Sequence, residues 1–205
     1  HLIHEDYQIV AADGKLNGGA GEDKFRKVIL YPNGFLYYMG EIGWSGNGTM
    51  HDWVTGELPL TSEITIVHFR NMVEAVVAKM KVPFARFPDC AFGFGGWIEG
   101  QCVSILIAFE NGQKHEVNLG GAFLSKPLLE SCYNEAYRRT YGERGNRLVP
   151  STFDDSDLKL LDHFFADATG CVGASADFNS SLNVAVVRAS GCKWLREENK
   201  ITVIA

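Results

Sequence analysis

The chain has 205 residues, of which 46% are hydrophobic, 12% aromatic and 21% charged; this excludes a disordered or fibrous protein and suits one domain spanning residues 1–205. A formal net charge of -6 without any Lys or Arg run argues against nucleic-acid and membrane-surface binding, since the field repels phosphate, and acidic substrates are equally disfavoured. No stretch approaches the roughly 18–20 apolar residues of a membrane span and no basic-then-apolar leader opens the sequence, so a cytoplasmic protein is expected.

In chain order, Leu2 to Ala12 reads as a strand ending at Asp13-Gly14. A glycine-rich turn over 17–21 leads to strands at Phe25 to Tyr31 and, beyond Pro32-Asn33-Gly34, Phe35 to Gly40. After a loop over 40–48, a short helix starts near Thr49 and is ended by Gly56 and Pro59. Thr61-Ser62-Glu63 offers a helix N-cap, and Val67, Met72, Val73, Val76, Val77 and Met80 form the apolar stripe of an amphipathic helix that Pro83 stops. Strands return at Cys90 to Ile98, Val103 to Phe109 and Lys114 to Asn118, with turns at Glu99-Gly100-Gln101 and Asn111-Gly112. Helices follow at Lys126 to Tyr141 and Ser156 to Asp167. Strands at Leu182 to Arg188 and Ile201 to Ile204 close the chain. Grouped strands and paired helices favour an α+β layered fold over a doubly wound parallel sheet.

Most motifs of common chemistry are absent: no phosphate-binding P-loop, no G-x-S-x-G elbow and no H-E-x-x-H pair. Gly93-Phe94-Gly95-Gly96 lies in a strand meander with no helix after it, which disfavours phosphate binding. His4, His51, His68, His115 and His163 lack metal-ligand spacing, and no metal or cofactor is expected. Cys90, Cys102, Cys132, Cys171 and Cys192 are odd in number and widely spaced, as small buried hydrophobes in a reducing compartment would be.

Two short patterns stand out. Asp13 ends the first strand and Lys27 begins the next, so carboxylate and ammonium can pair, either as a buried pair that tunes a nucleophile's partner or as an ordinary salt bridge. Asp177-Phe178-Asn179-Ser180-Ser181 precedes a strand, so Asp177 and Ser180 either point at one site or form an Asx-turn.

Ala11-Ala12-Asp13-Gly14, Lys27-Val28, Tyr38-Met39-Gly40-Glu41-Ile42-Gly43 ahead of a helix, and Asp177-x-x-Ser180-Ser181 before Asn183-Val184-Ala185-Val186 occur in an order that resembles the N-terminal nucleophile hydrolases. Within them the likeness is to proteasome β-subunits and the bacterial HslUV peptidase, including small bacterial proteasome homologues. The resemblance implies a four-layer αββα sandwich, two antiparallel sheets between helix layers. It also implies self-assembly into a homo-oligomeric ring, with an unfoldase partner left open. In active members an N-terminal threonine attacks a peptide carbonyl with its own α-amine as base; by the match, Asp13 and Lys27 tune that amine and Asp177 and Ser180 support it. Aromatic side chains at Trp44, Trp53, Phe153, Phe164 and Phe165 would serve either interfaces or core.

Two positions depart from that pattern. His1 stands where the threonine is expected, and Gly121 where the family usually has a serine. An imidazole cannot form a threonyl ester, which leaves three readings: a catalytically silent subunit, a nucleophile that precedes His1, or another use of the site such as metal capture. The wider alternatives are a non-catalytic scaffolding subunit on the same fold and a small-amide hydrolase of the same superfamily.

Overall fold

The computed structural model describes residues 1–3, 5–13, 26–40, 50–80, 90–110, 112–121, 123–124, 129–142, 155–170 and 181–200. Among them are two antiparallel sheets and four helices, an α+β arrangement. One sheet has the strand order β1 (Leu2–Ile3), β2 (Gln8–Asp13), β8 (Leu182–Arg188), β9 (Gly191–Glu197). The other runs β3 (Val28–Tyr31), β4 (Gly34–Gly40), β5 (Cys90–Ile98), β6 (Gln101–Glu110), β7 (Gln113–Asn118). The helices are α1 (Met50–Glu57), α2 (Ile66–Lys79), α3 (Glu130–Tyr141) and α4 (Asp155–Gly170). Among the described residues no helix is long and apolar enough to cross a membrane.

Strand period 2 sorts the apolar side chains into separate cores. In β4, Leu36 and Tyr38 join a cluster with Trp53 and Val54 of α1, Phe69, Met72, Val73 and Val76 of α2, and Phe92 and Phe94 of β5. The alternate residues Phe35 and Tyr37 join a different cluster with Val10, Val28, Leu106, Ala185 and Val187, drawn from both sheets. In β8, Leu182, Val184 and Val186 pack with Leu160, Phe164 and Phe165 of α4 and Ala136 and Tyr137 of α3. Every residue from Leu182 to Val187 is therefore buried, because each face of β8 has a core of its own. Trp53, Phe164 and Phe165 are core residues, while Trp44 and Phe153 lie outside the described residues.

Three elements differ from the sequence expectation. The strand expected over Leu2 to Ala12 is a hairpin in which Leu2 faces Ile9 and Ile3 faces Gln8. Its reversal, which includes exposed Glu5 and Asp6, contains no glycine or proline to announce it. Helix α2 starts later than Thr61–Glu63 suggests: Asn33 accepts from the Ile64 amide at 2.8 Å and donates to the Ile64 carbonyl at 2.9 Å, holding that residue outside the helix. The cap is Thr65, whose hydroxyl accepts from the His68 amide. Strand β9 was not expected at all, because its alternation of Cys192, Trp194 and Arg196 with Lys193, Leu195 and Glu197 is half charged. The Ile201–Ile204 strand lies outside the described residues. Between β5 and β6, Glu99 at φ 51° and Gly100 at φ 78° make the two-residue turn whose twist suits a hairpin.

Candidate functional site

Two polar groupings are built where the sheets meet. The first centres on Asp13, the last residue of β2, which is 5% exposed and faces Leu182 across the β2–β8 ladder. Lys27, just ahead of β3, places its Nζ 3.3 and 3.4 Å from the two Asp13 carboxylate oxygens. The Lys27 carbonyl accepts from the Tyr38 amide, which fixes the backbone that carries this side chain against β4. The sequence placed Asp13 and Lys27 on neighbouring strands; they are neighbours in the chain, but β2 and β3 belong to different sheets, so the ion pair ties the sheets together. The Lys27 side chain keeps 20% of its surface exposed against 6% for Asp13, so the carboxylate is sealed while the ammonium retains a path to solvent.

The second grouping surrounds His1. Its Nε2 is 2.8 Å from Gln8 Oε1 and its Nδ1 3.3 Å from the Tyr37 hydroxyl. The Gln8 amide nitrogen donates to the carbonyls of Val103 and Gly96 and to Cys102 Sγ, so its oxygen must face the imidazole and Nε2 must carry a proton. Burial pushes the Tyr37 phenol well up, which keeps its hydroxyl protonated beside Nδ1. Both ring nitrogens are thereby occupied, with the imidazole packed edge-on against Phe35 and Tyr37. The His1 main chain is held as well: its amine donates to the Phe123 carbonyl, its carbonyl accepts from the Phe123 amide, and Ile3 donates to the Gly121 carbonyl. Burial pushes the α-amine down to about 5.

The glycines of Gly93-Phe94-Gly95-Gly96 serve this packing. A Cβ on Gly93 would sit 2.0 Å from the Tyr37 ring, and one on Gly95 would sit 2.6 Å from Gln8 Oε1 and 2.7 Å from the Phe35 ring. The strand has no side chain there because the rings and the carboxamide lie directly on its backbone.

Of the residues singled out in the sequence, Asp13 and Lys27 come together. His1 has other partners, and in the ladder its position lies opposite Val10, about 10 Å along β2 from Asp13. Asp177 and Ser180 lie outside the described residues. Gly121 flanks β1 through its carbonyl, with a φ of 69°. Cys90 and Cys132 are buried, Cys192 is half-buried and Cys102 is exposed, and burial pushes the Cys192 thiol up to about 12. Among the described residues no three His, Cys, Asp or Glu side chains gather to hold a metal ion. Sequence reasoning missed Gln8, Asn183 and Asn199, each fully or almost fully buried; a lone carboxamide in an apolar strand was the only sign of Gln8, and nothing marked the worth of the two asparagines. No known family model and no curated protein matches the chain.

Proposed function

We propose that the chain is a proteasome-β-like subunit of the N-terminal nucleophile hydrolase fold, a cytoplasmic protein that assembles with copies of itself into a ring and is related to threonine-type peptidases. The observation that carries this reading is the Asp13–Lys27 pair, a sealed carboxylate orienting an ammonium with access to solvent at the junction of two sheets. A cation so held lowers the cost of removing a proton nearby and stabilises negative charge that develops there during amide attack. In support of a four-layer sandwich, one apolar cluster unites α1 and α2 with the five-stranded sheet, a second unites α3 and α4 with the four-stranded sheet, and a third draws on both sheets.

On this reading His1 is not the nucleophile, since both its ring nitrogens are engaged and it sits opposite Val10. The antiparallel register supports the alternative of an upstream nucleophile: each step back along β1 moves one step forward along β2, so the position facing Asp13 is the third before His1. A hydroxyl residue there would have Asp13 across the ladder and the ammonium of Lys27 beside that carboxylate. The test is intact mass and N-terminal sequencing of protein expressed from its own gene, with turnover of fluorogenic peptides and gel filtration. Ring-sized particles and a Thr, Ser or Cys N-terminus with turnover uphold the proposal; a monodisperse monomer without turnover overturns it. The second reading, a non-catalytic scaffolding subunit, is favoured by the closed network around His1, and ring-sized particles with a His1 N-terminus and no turnover would establish it.

A further inference from the structure

We infer that Asn199 is a positioning residue for the Asp13–Lys27 pair, acting through the backbone at the start of β8. Regular β8–β9 pairing ends where Asn183 faces Glu197. Beyond that point, Asn199 and Asn183 continue the ladder with carboxamides. The Asn199 amide donates to Asn183 Oδ1 at 2.8 Å and its carbonyl accepts from Asn183 Nδ2 at 2.9 Å. The Asn199 side chain then grips Ser181: its Nδ2 donates to the Ser181 carbonyl at 2.9 Å and its Oδ1 accepts from the Ser181 hydroxyl at 2.7 Å. Between them Leu182 is held from both sides, its amide donating to the Glu198 carboxylate at 2.6 Å and its carbonyl accepting from the Glu198 amide at 3.3 Å.

Three consecutive residues, 181–183, are thus each fastened to residues 198–199. Two of them face the candidate site directly, for Leu182 pairs with Asp13 and Asn183 with Ala12. Asn199 is 0% and Asn183 1% exposed. Buried carboxamides are costly unless fully bonded, and apolar side chains could fill the same space. What carboxamides add is direction: they fix the main chain at the strand entrance, where apolar groups would let it slide. The beneficiary is the carboxylate on the opposite strand, whose position decides where Lys27 Nζ is held.

The inference rests on the proposed function only for what the pair does, and its test needs no turnover. Hydrogen exchange of the Lys27 ammonium, followed by its ¹⁵Nζ signal in the full chain, reports how firmly Asp13 holds it. Asn199→Ala is expected to speed that exchange about three- to tenfold, the factor carried by one hydrogen bond of ordinary strength. Ser181→Ala, which deletes one bond of the clamp, shifts it in the same direction and decides the matter if Asn199→Ala does not fold. Ile64→Val, which loosens the α1–α2 core instead, leaves it unchanged. Unchanged exchange in the folded Asn199→Ala or Ser181→Ala protein, or an equal change in Ile64→Val, overturns the inference. In the chain extended upstream to a threonine, peptide turnover lost in Asn199→Ala without any change in exchange counts against the clamp alone. A changed exchange in an assembled, threonine-extended chain that cleaves nothing counts against the peptidase reading alone.

Discussion

The groupings at His1 and at Asp13–Lys27 both join the two sheets, but by opposite means. Around His1 the polar groups close on one another: imidazole to phenol and carboxamide, carboxamide to two backbone carbonyls and a thiol. At Asp13 carboxylate and ammonium form an ion pair, and one of them is partly wet. A closed hydrogen-bonded network specifies a packing arrangement and offers nothing to a substrate. A charge held by a buried counter-ion, with one side open, is what a reacting group could use.

That contrast can be broken most severely from below the rings. Gly93→Val puts carbon where the Tyr37 ring lies, with a cost of about 3 kcal/mol or more, and chemical denaturation should show it. Lys27→Met takes the ammonium away from a sealed carboxylate, and at neutral pH should cost about 2 kcal/mol, less than for a fully buried pair because Lys27 is partly wet. Asp13→Asn added to Lys27→Met should recover part of that loss; a double variant no more stable than the single would mean that the charge was never the problem. Gln8→Met, by contrast, removes the two amide hydrogens shared among the Val103 and Gly96 carbonyls and Cys102 Sγ, and the oxygen that His1 meets, yet keeps the volume, and should cost about 1–2 kcal/mol.

The surface supplies the weakest case. Arg70 donates to Glu116 and holds its carboxyl below the ordinary 4.5, with lesser help from Lys114. The folded value lies below the unfolded one, so this contribution is fully present above about 4.5 and fades as pH falls through the folded value. In Arg70→Ala the Glu116 titration, followed by NMR, should return toward 4.5 with almost no change in melting temperature.

How far these features could be read from residues alone varies with their physics. The Asp13–Lys27 pair was legible because turn residues mark the end of one strand and a basic cluster the start of the next; the sheet each strand joined was not, since pairing is non-local. The helix stripe from Val67 to Met80 was legible in its period, but the start at Thr65 depends on Asn33, thirty-odd residues earlier in the chain. The hairpin within the first 13 residues carried no turn signal, and with it went the position of His1 relative to Asp13. Strand β9 escaped because charged Lys193, Arg196 and Glu197 are interleaved with half-buried Cys192, Trp194 and Leu195, so no apolar run announces it. Asn183 and Asn199 were invisible, since a carboxamide's worth depends wholly on partners that folding supplies.

The central claim is that the Asp13–Lys27 pair serves a nucleophile located across the ladder from Asp13. It is tested most directly by extending the chain three residues before His1, with threonine as the new first residue, and measuring fluorogenic peptide turnover with and without Lys27→Ala. The account predicts turnover by the extended chain, its loss in Lys27→Ala at retained fold and assembly, and none from the chain beginning at His1. An extended, folded and assembled chain that cleaves nothing, or one whose turnover is indifferent to Lys27, would contradict it.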